Sequence, residues 1–284
     1  MPKCINDSKK NYTGEEPSPK GNGYSASAED AGTIMLGKND SFWIVKQTKT
    51  CKRWTDLKIN FSNLPKDCYT PAYFPETKLI DSASESGLEN KFGGKRPFFV
   101  KGESWPMYDD VPMVFFGQFK DPRTTNNILY RIFLPINNSD YLCNYEINSI
   151  ELNEENQIII EKPDYIYDDD EKSFFEPHVI TEWTQTNELL PFECLIKKLG
   201  LPDCDTVSDN YFDNEFTPSS NVKVGGTPMY CQYYDLSREY NKYKINNFIQ
   251  LTDCRELPYG WGDAGIAHIF MGTNNKLALE WDCC

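Results

Sequence analysis

Histidine is almost missing from this chain: His178 and His268 are the only two in 284 residues, and none of the 10 cysteines forms a C-x-x-C pair. Structural zinc draws on four Cys or His ligands at short spacings, so no metal site is expected. A phosphate loop, a dinucleotide fingerprint and an H-E-x-x-H helix are also missing, and no cofactor is expected. No apolar run approaches the roughly 18 to 20 residues of a membrane helix, and the mean hydropathy of −0.61 is that of a water-facing chain. The opening Met1-Pro2-Lys3-Cys4-Ile5-Asn6-Asp7 carries no apolar stretch behind its basic residue, so no secretory signal is expected. The expected compartment is cytoplasmic. There thiols stay reduced, and a scattered cysteine serves as a small buried hydrophobe.

Positive charge is scarce as well, and what there is lies unevenly. The chain holds 29 Lys+Arg against 43 Asp+Glu, a net −14. Residues 1–54 hold nine Lys+Arg against six Asp+Glu, which leaves −17 on residues 55–284. Nucleic-acid binding is not expected of that acidic remainder. Residues 1–23 are polar and rich in Gly, Pro, Lys and Asn; by composition they cannot bury enough apolar surface to order themselves and read as a flexible arm. Residues 24–56 read as a small basic β module. Ile34-Met35-Leu36 and Phe42-Trp43-Ile44-Val45 are β-prone runs flanking the turn residues Gly37 to Ser41, and Lys52-Arg53-Trp54 supplies a third strand. Trp43 and Trp54 are expected to form its core. Lys46, Lys49, Lys52 and Arg53 then fall on the wet face, either as a solvated strand surface or as a contact for an acidic protein partner or nucleic acid. Pro17-Ser18-Pro19-Lys20-Gly21, Gly32-Thr33-Ile34, Gly37-Lys38, Trp43-Ile44-Val45 and Lys52-Arg53-Trp54 resemble a short N-terminal module found on many proteins of large DNA viruses. The resemblance implies a viral source, with the host cytoplasm or the virion as location, and no activity.

The remainder repeats itself. At an offset of 132, Lys91, Gly93, Gly94, Tyr108, Phe116, Gln118 and Asp121 fall on Lys223, Gly225, Gly226, Tyr240, Phe248, Gln250 and Asp253, seven identities in 31 positions where about two are expected from ordinary residue frequencies. Leu129 to Phe133 matches Ile266 to Phe270 after a five-residue insertion. The period is far longer than that of a solenoid. The expected fold is mainly β (α+β), with duplicated half-domains of antiparallel strands, at about 91–134 and 223–271, packed about a pseudo-twofold axis. Val111 to Phe119 is apolar almost throughout and reads as a central strand buried on both faces, with Ile128 to Leu134 and Gly265 to Met271 as partners. Between the copies, one helix is predicted over Asn187–Leu199, capped by Asn187, with Pro191 in its first turn and Gly200 and Pro202 at its end.

Lys91-Phe92-Gly93-Gly94 with Pro97, Trp105-Pro106, Pro112 to Gln118, Lys223-Val224-Gly225-Gly226 with Pro228, Ile249-Gln250 and Trp261-Gly262-Asp263-Ala264-Gly265 with Ile269-Phe270 resemble the YwqG-like family over about residues 60–284, within a domain read as 57–284. The resemblance implies a duplicated, mostly antiparallel β fold without an established activity. The chain departs from the family pattern at Asn126-Asn127, where a glycine is usual.

Candidate chemistry is sparse. Gln118 and Gln250 are polar residues within apolar runs, either ligand contacts or buried amides bonded to backbone. Asp109-Asp110 and Asp168 to Glu171 read as solvated turns, and Asp263 beside Gly262 is explained by turn chemistry. His268 reads as a hydrogen-bonded core residue, and His178 as a loop residue. Cys283-Cys284 is similar to the doubly prenylated ends of some small GTPases, but Leu277 to Trp281 reads as a last strand, so no anchor is expected. The leading expectation is a non-catalytic binding or structural protein with a place in the virion as one role. The alternative is an enzyme acting on a small polar or sugar-like ligand at the seam between the repeats, through Trp105, Gln118, Gln250, Trp261 and Asp263.

Overall fold

A computed structural model describes residues 1–135, 146–152, 157–160, 176–212, 221–230, 246–252, 265–271 and 277–282. The chain divides into two units, Met1–Tyr69 with Leu189–Thr217, and Thr70–Glu188 with Pro218–Cys284.

In the first unit the predicted meander is present as β1 (Ile34–Leu36), β2 (Phe42–Gln47) and β3 (Lys52–Asp56), antiparallel and in that order. Side chains alternate across a strand, so Ile34, Leu36, Phe42 and Ile44 share one face. That face carries the core, together with Phe61, Cys68 and two helices, α1 (Phe192–Leu199) and α2 (Asp205–Phe212). The core is therefore Phe42 and Ile34 and not the tryptophans. Trp43 and Trp54 are half-buried on the opposite face, because each pleat sends them away from Phe42. There Trp43 Nε1 donates to Asn39 Oδ1 (3.0 Å) and Trp54 Nε1 donates to the Tyr24 carbonyl (2.9 Å).

The helix prediction needs two corrections. Residues 178–189 continue as strand, so Asn187 caps nothing, and α1 starts at Phe192 behind Pro191, which sits in an extended backbone at φ −48°, ψ 140°. Its end is as read: Gly200 adopts the left-handed conformation at φ 66° and its N–H returns to the Ile196 and Lys197 carbonyls. The second helix, α2, buries only Val207 and Tyr211, too few apolar positions to show as a stripe. Both helices belong to the unit of the small sheet, where the one helix the sequence predicts was assigned to the larger region.

Residues 1–23, expected as an arm, carry definite structure. Cys4 is buried, the Asn6 side chain spans the Ser25 backbone through bonds of 2.7 and 3.0 Å, and the Ile5 N–H reaches the Gly23 carbonyl at 2.7 Å. The composition argument weighs apolar area alone. Here local hydrogen bonds and a turn that admits only glycine at Gly21, whose Cβ would overlap the Glu16 carbonyl, fix the segment instead.

The second unit contains β4 (Tyr69–Leu79), β5 (Lys91–Phe92), β6 (Phe98–Val100), β7 (Met107–Tyr108), β8 (Val111–Pro112), β9 (Val114–Lys120), β10 (Ile128–Leu134), β11 (Glu146–Glu151), β12 (Gln157–Ile159), β13 (His178–Leu189), β14 (Lys223–Gly225), β15 (Asn246–Thr252), β16 (Ile266–Met271) and β17 (Leu277–Asp282). Ten of them form one sheet in the order β11-β10-β9-β5-β13-β4-β14-β15-β16-β17. The edge strands β11 and β17 approach each other, so the sheet nearly closes. From β5 outward the order is β5-β9-β10-β11; from β14 outward it is β14-β15-β16-β17. In each arm the register slips once. β9 skips Phe116 against β10, and β15 skips Phe248 against β16, the same residue at the 132 offset. The predicted central strand is split by Met113, and its longer piece, β9, is buried on both faces up to Lys120. Phe92, Phe116, Phe119, Ile132, Val224, Ile249, Leu251 and Ile269 form the core of this unit. Among the described residues no helix is long and apolar enough to cross a membrane.

Leu195 has no exposed surface in the core of the first unit. Leu195→Ala is expected to cost about 2 to 5 kcal/mol, seen as a lower guanidinium midpoint in unfolding followed by tryptophan fluorescence.

Candidate functional site

Polar residues line up across the interior of the large sheet. Lys91 on β5 faces Gln118 on β9, which faces Arg131 on β10. In the other arm Lys223 on β14 faces Gln250 on β15, which faces His268 on β16. All six side chains are buried, and five of them have no exposed surface at all. Such burial is costly unless each group is met by a partner, so the question for each is what meets it.

The lysines are met by carboxylates. Lys91 Nζ lies 2.6 Å from Glu85 Oε2 and also donates to the Arg96 carbonyl at 3.0 Å. Lys223 Nζ lies 2.8 and 2.7 Å from the two oxygens of Glu188 and donates to the Thr227 carbonyl at 2.6 Å. Burial pushes the Lys223 ammonium below its ordinary range, and the Glu188 charge pulls it back. Beside Lys91, burial would push the Glu89 carboxyl up, but hydrogen bonds from Ser86 and the Lys91 charge hold it down at about 2. Sequence reading singled out both lysines as repeat landmarks and missed both glutamates.

The glutamines are met by backbone. Gln118 Oε1 accepts from the Phe98 N–H (2.7 Å), and its Nε2 donates to the carbonyls of Gly87 and Glu89 (both 2.9 Å). Gln250 Oε1 accepts from the Met229 N–H (2.9 Å), and its Nε2 donates to the Asn221 carbonyl (3.0 Å). Each amide ties the loop before its lysine to the loop after it. Of the two readings open for these residues, the buried amide matches the geometry. Trp105 is buried too, its Nε1 donating to the Met113 carbonyl at 2.8 Å, in a cluster with Phe99 and Phe133. Trp261 and Asp263 lie outside the described residues, as do Asp168 to Glu171 and Cys283-Cys284.

The third members of the two rows differ. The Arg131 guanidinium stacks 4.2 Å from the Phe99 ring, 5.4 Å from Phe133, and bonds to the Phe98 carbonyl (2.5 Å) and to Glu103 (3.0 and 3.3 Å). The His268 ring contacts those of Tyr230 (4.5 Å) and Phe270 (5.7 Å). The surroundings are alike, but among the described residues neither buried His268 nitrogen has a hydrogen-bond partner. The expectation of a hydrogen-bonded core histidine is thus half right. Burial, and then the nearby Lys223 charge, push its pKa down to about 3, against which a contact with the Met229 backbone acts only weakly. The ring is neutral at pH 7. His178 is not a loop residue but the first residue of β13, paired with Phe92.

Elsewhere, Asp109 and Asp110 are exposed and form the two-residue turn between β7 and β8, both in left-handed backbone at φ 47° and 63°, as a tight hairpin requires. In the first unit Lys46 and Lys49 are exposed, as is Arg53, while Lys52 is half-buried and donates to the Glu29 carbonyl. Lys46 lies directly opposite Arg53 in the β2–β3 register. Among the described residues no three His, Cys, Asp or Glu side chains converge as a metal site would require.

Compared with family models and with curated proteins, the sequence matches none.

The native His268 resists protonation while the unfolded chain takes up a proton near pH 6.5. Stability from this residue is therefore full above pH 6.5 and is lost as pH falls toward 3, by about 1.4 kcal/mol per unit. The urea midpoint of wild type is expected to drop more steeply between pH 7 and pH 5 than that of His268→Leu.

Proposed function

We propose that this chain is a non-catalytic binding or structural protein of YwqG-like build, whose small basic sheet docks an acidic protein partner. The carrying observation is the pairing of Lys46 with Arg53. Like charges placed directly opposite on neighbouring strands oppose folding, and both are exposed with Lys49 in the adjoining turn. A row of cations that the fold itself does not need is suited to an anionic surface arriving from outside.

The matched lysine–glutamine rows and the matched register slips at Phe116 and Phe248 support two copies of one half-domain. The enzyme reading places Trp105, Gln118 and Gln250 at a ligand. Their polar groups bond instead to the protein's own backbone, which favours the binding reading. A viral source, with the protein carried in particles, is the further part of this proposal; mass spectrometry of purified virions tests it.

The docking surface is tested with a fluorescent polyglutamate peptide on the full chain. Binding is expected to weaken with added salt and to fall by roughly tenfold or more in the variant Lys46→Glu, Lys49→Glu, Arg53→Glu. Equal affinity of variant and wild type would overturn the surface, and preference for duplex DNA over the peptide would replace its partner class.

A further inference from the structure

The two Gly-Gly turns share a buried lysine, paired glycines and a backbone N–H donor, but not the origin of the carboxylate they hold. Glu85 lies in the loop six residues before Lys91, whereas Glu188 lies near the end of β13, 35 residues before Lys223. At the repeat offset Glu85 falls on Thr217, so the second acid is not a copy of the first. The groups that receive the acid do correspond. Lys91 and Lys223 supply a fully buried ammonium at 2.6 and 2.7 Å. The turn supplies backbone N–H groups: those of Lys95 (2.9 Å) and Arg96 (3.3 Å) to Glu85, and that of Thr227 (2.9 Å) to Glu188.

The glycines complete the match. Gly93 and Gly94 hold φ 71° and 94°, and Gly225 and Gly226 hold φ 73° and 70°. Successive residues of this kind turn backbone N–H groups into a concavity for an anion. A Cβ added to Gly94 would overlap Oε2 of Glu85, and one added to Gly226 would overlap Oε2 of Glu188. In both turns the carboxylate oxygen occupies the space that the second glycine leaves open.

We propose that each Gly-Gly turn is a receptor for a single carboxylate group, built from the lysine, the turn N–H groups and the second glycine, and loaded in cis by whichever glutamate the chain brings to it. The repeated element is the receptor, and the acid is its ligand. The inference rests on the turns alone and stands independently of the docking surface.

Acetate supplies the two carbons and two oxygens that Glu→Ala removes, so it is the probe. In the full chain, Glu85→Ala and Glu188→Ala are each expected to lower the melting temperature. Sodium acetate is expected to restore it by about 3 °C per tenfold rise above its dissociation constant, and sodium chloride at equal ionic strength is not. Wild type is expected to show no acetate-specific shift, and adding Lys91→Met to Glu85→Ala to abolish the recovery. Should a variant be unfolded in chloride, its refolding yield from urea in acetate against chloride becomes the measurement. Recovery missing from either variant, equal recovery in chloride, or recovery that survives Lys91→Met overturns the proposal.

Discussion

A lysine ammonium with no exposed surface must be matched inside the protein, because removing it from water costs more than one ion pair returns unless further hydrogen bonds complete its shell. Lys91 and Lys223 impose that condition at corresponding points of the large sheet. Much of the local structure follows from meeting it. Each lysine needs an acid beside it and a backbone carbonyl at the turn, so the chain must reverse tightly just after the strand. The reversal needs glycine at two successive positions. The freed backbone groups need the neighbouring glutamine, and the glutamine holds the next strand in register. Charge, turn, amide and register form one connected condition in each arm.

The part of this that was legible in the sequence is the part that recurs at a fixed offset. Lys91, Gly94 and Gln118 have identical residues at that offset, and the strands Ile128–Leu134 and Ile266–Met271 follow their apolar runs to within a residue. Glu85 and Glu188 were invisible because they reach the same kind of place from unrelated points in the chain, and no periodicity links them. The tryptophans of the small sheet misled for a different reason. Size suggests a core residue, but the pleat decides the face, and Phe42 rather than Trp43 points inward. The start of α1 was misplaced because Asn187 is a good cap by type, while β13 had already claimed it.

The third row members show one position solved twice. Arg131 lies over two adjacent aromatic rings, Phe99 and Phe133, with a carbonyl and Glu103 accepting from its terminal nitrogens. His268 keeps the aromatic neighbours and drops the hydrogen bonds, which it survives by staying neutral. Stacking is thus the shared requirement of the position, and charge is optional. An imidazole meets it because its neutral form needs no counter-ion, only exclusion of the proton.

The first unit is assembled from two stretches of chain with 119 residues, Thr70–Glu188, between them. Its sheet leaves the ribosome early, but Leu195, Val207 and Tyr211, which cover the Phe42 face, are made much later. At ordinary rates of synthesis that interval is roughly 6 to 24 s. For that time the face of Ile34, Phe42 and Ile44, packed on the early-made Phe61, lacks the helices that complete its cover, so chaperone occupancy during translation is expected to concentrate there and to end once the helices emerge.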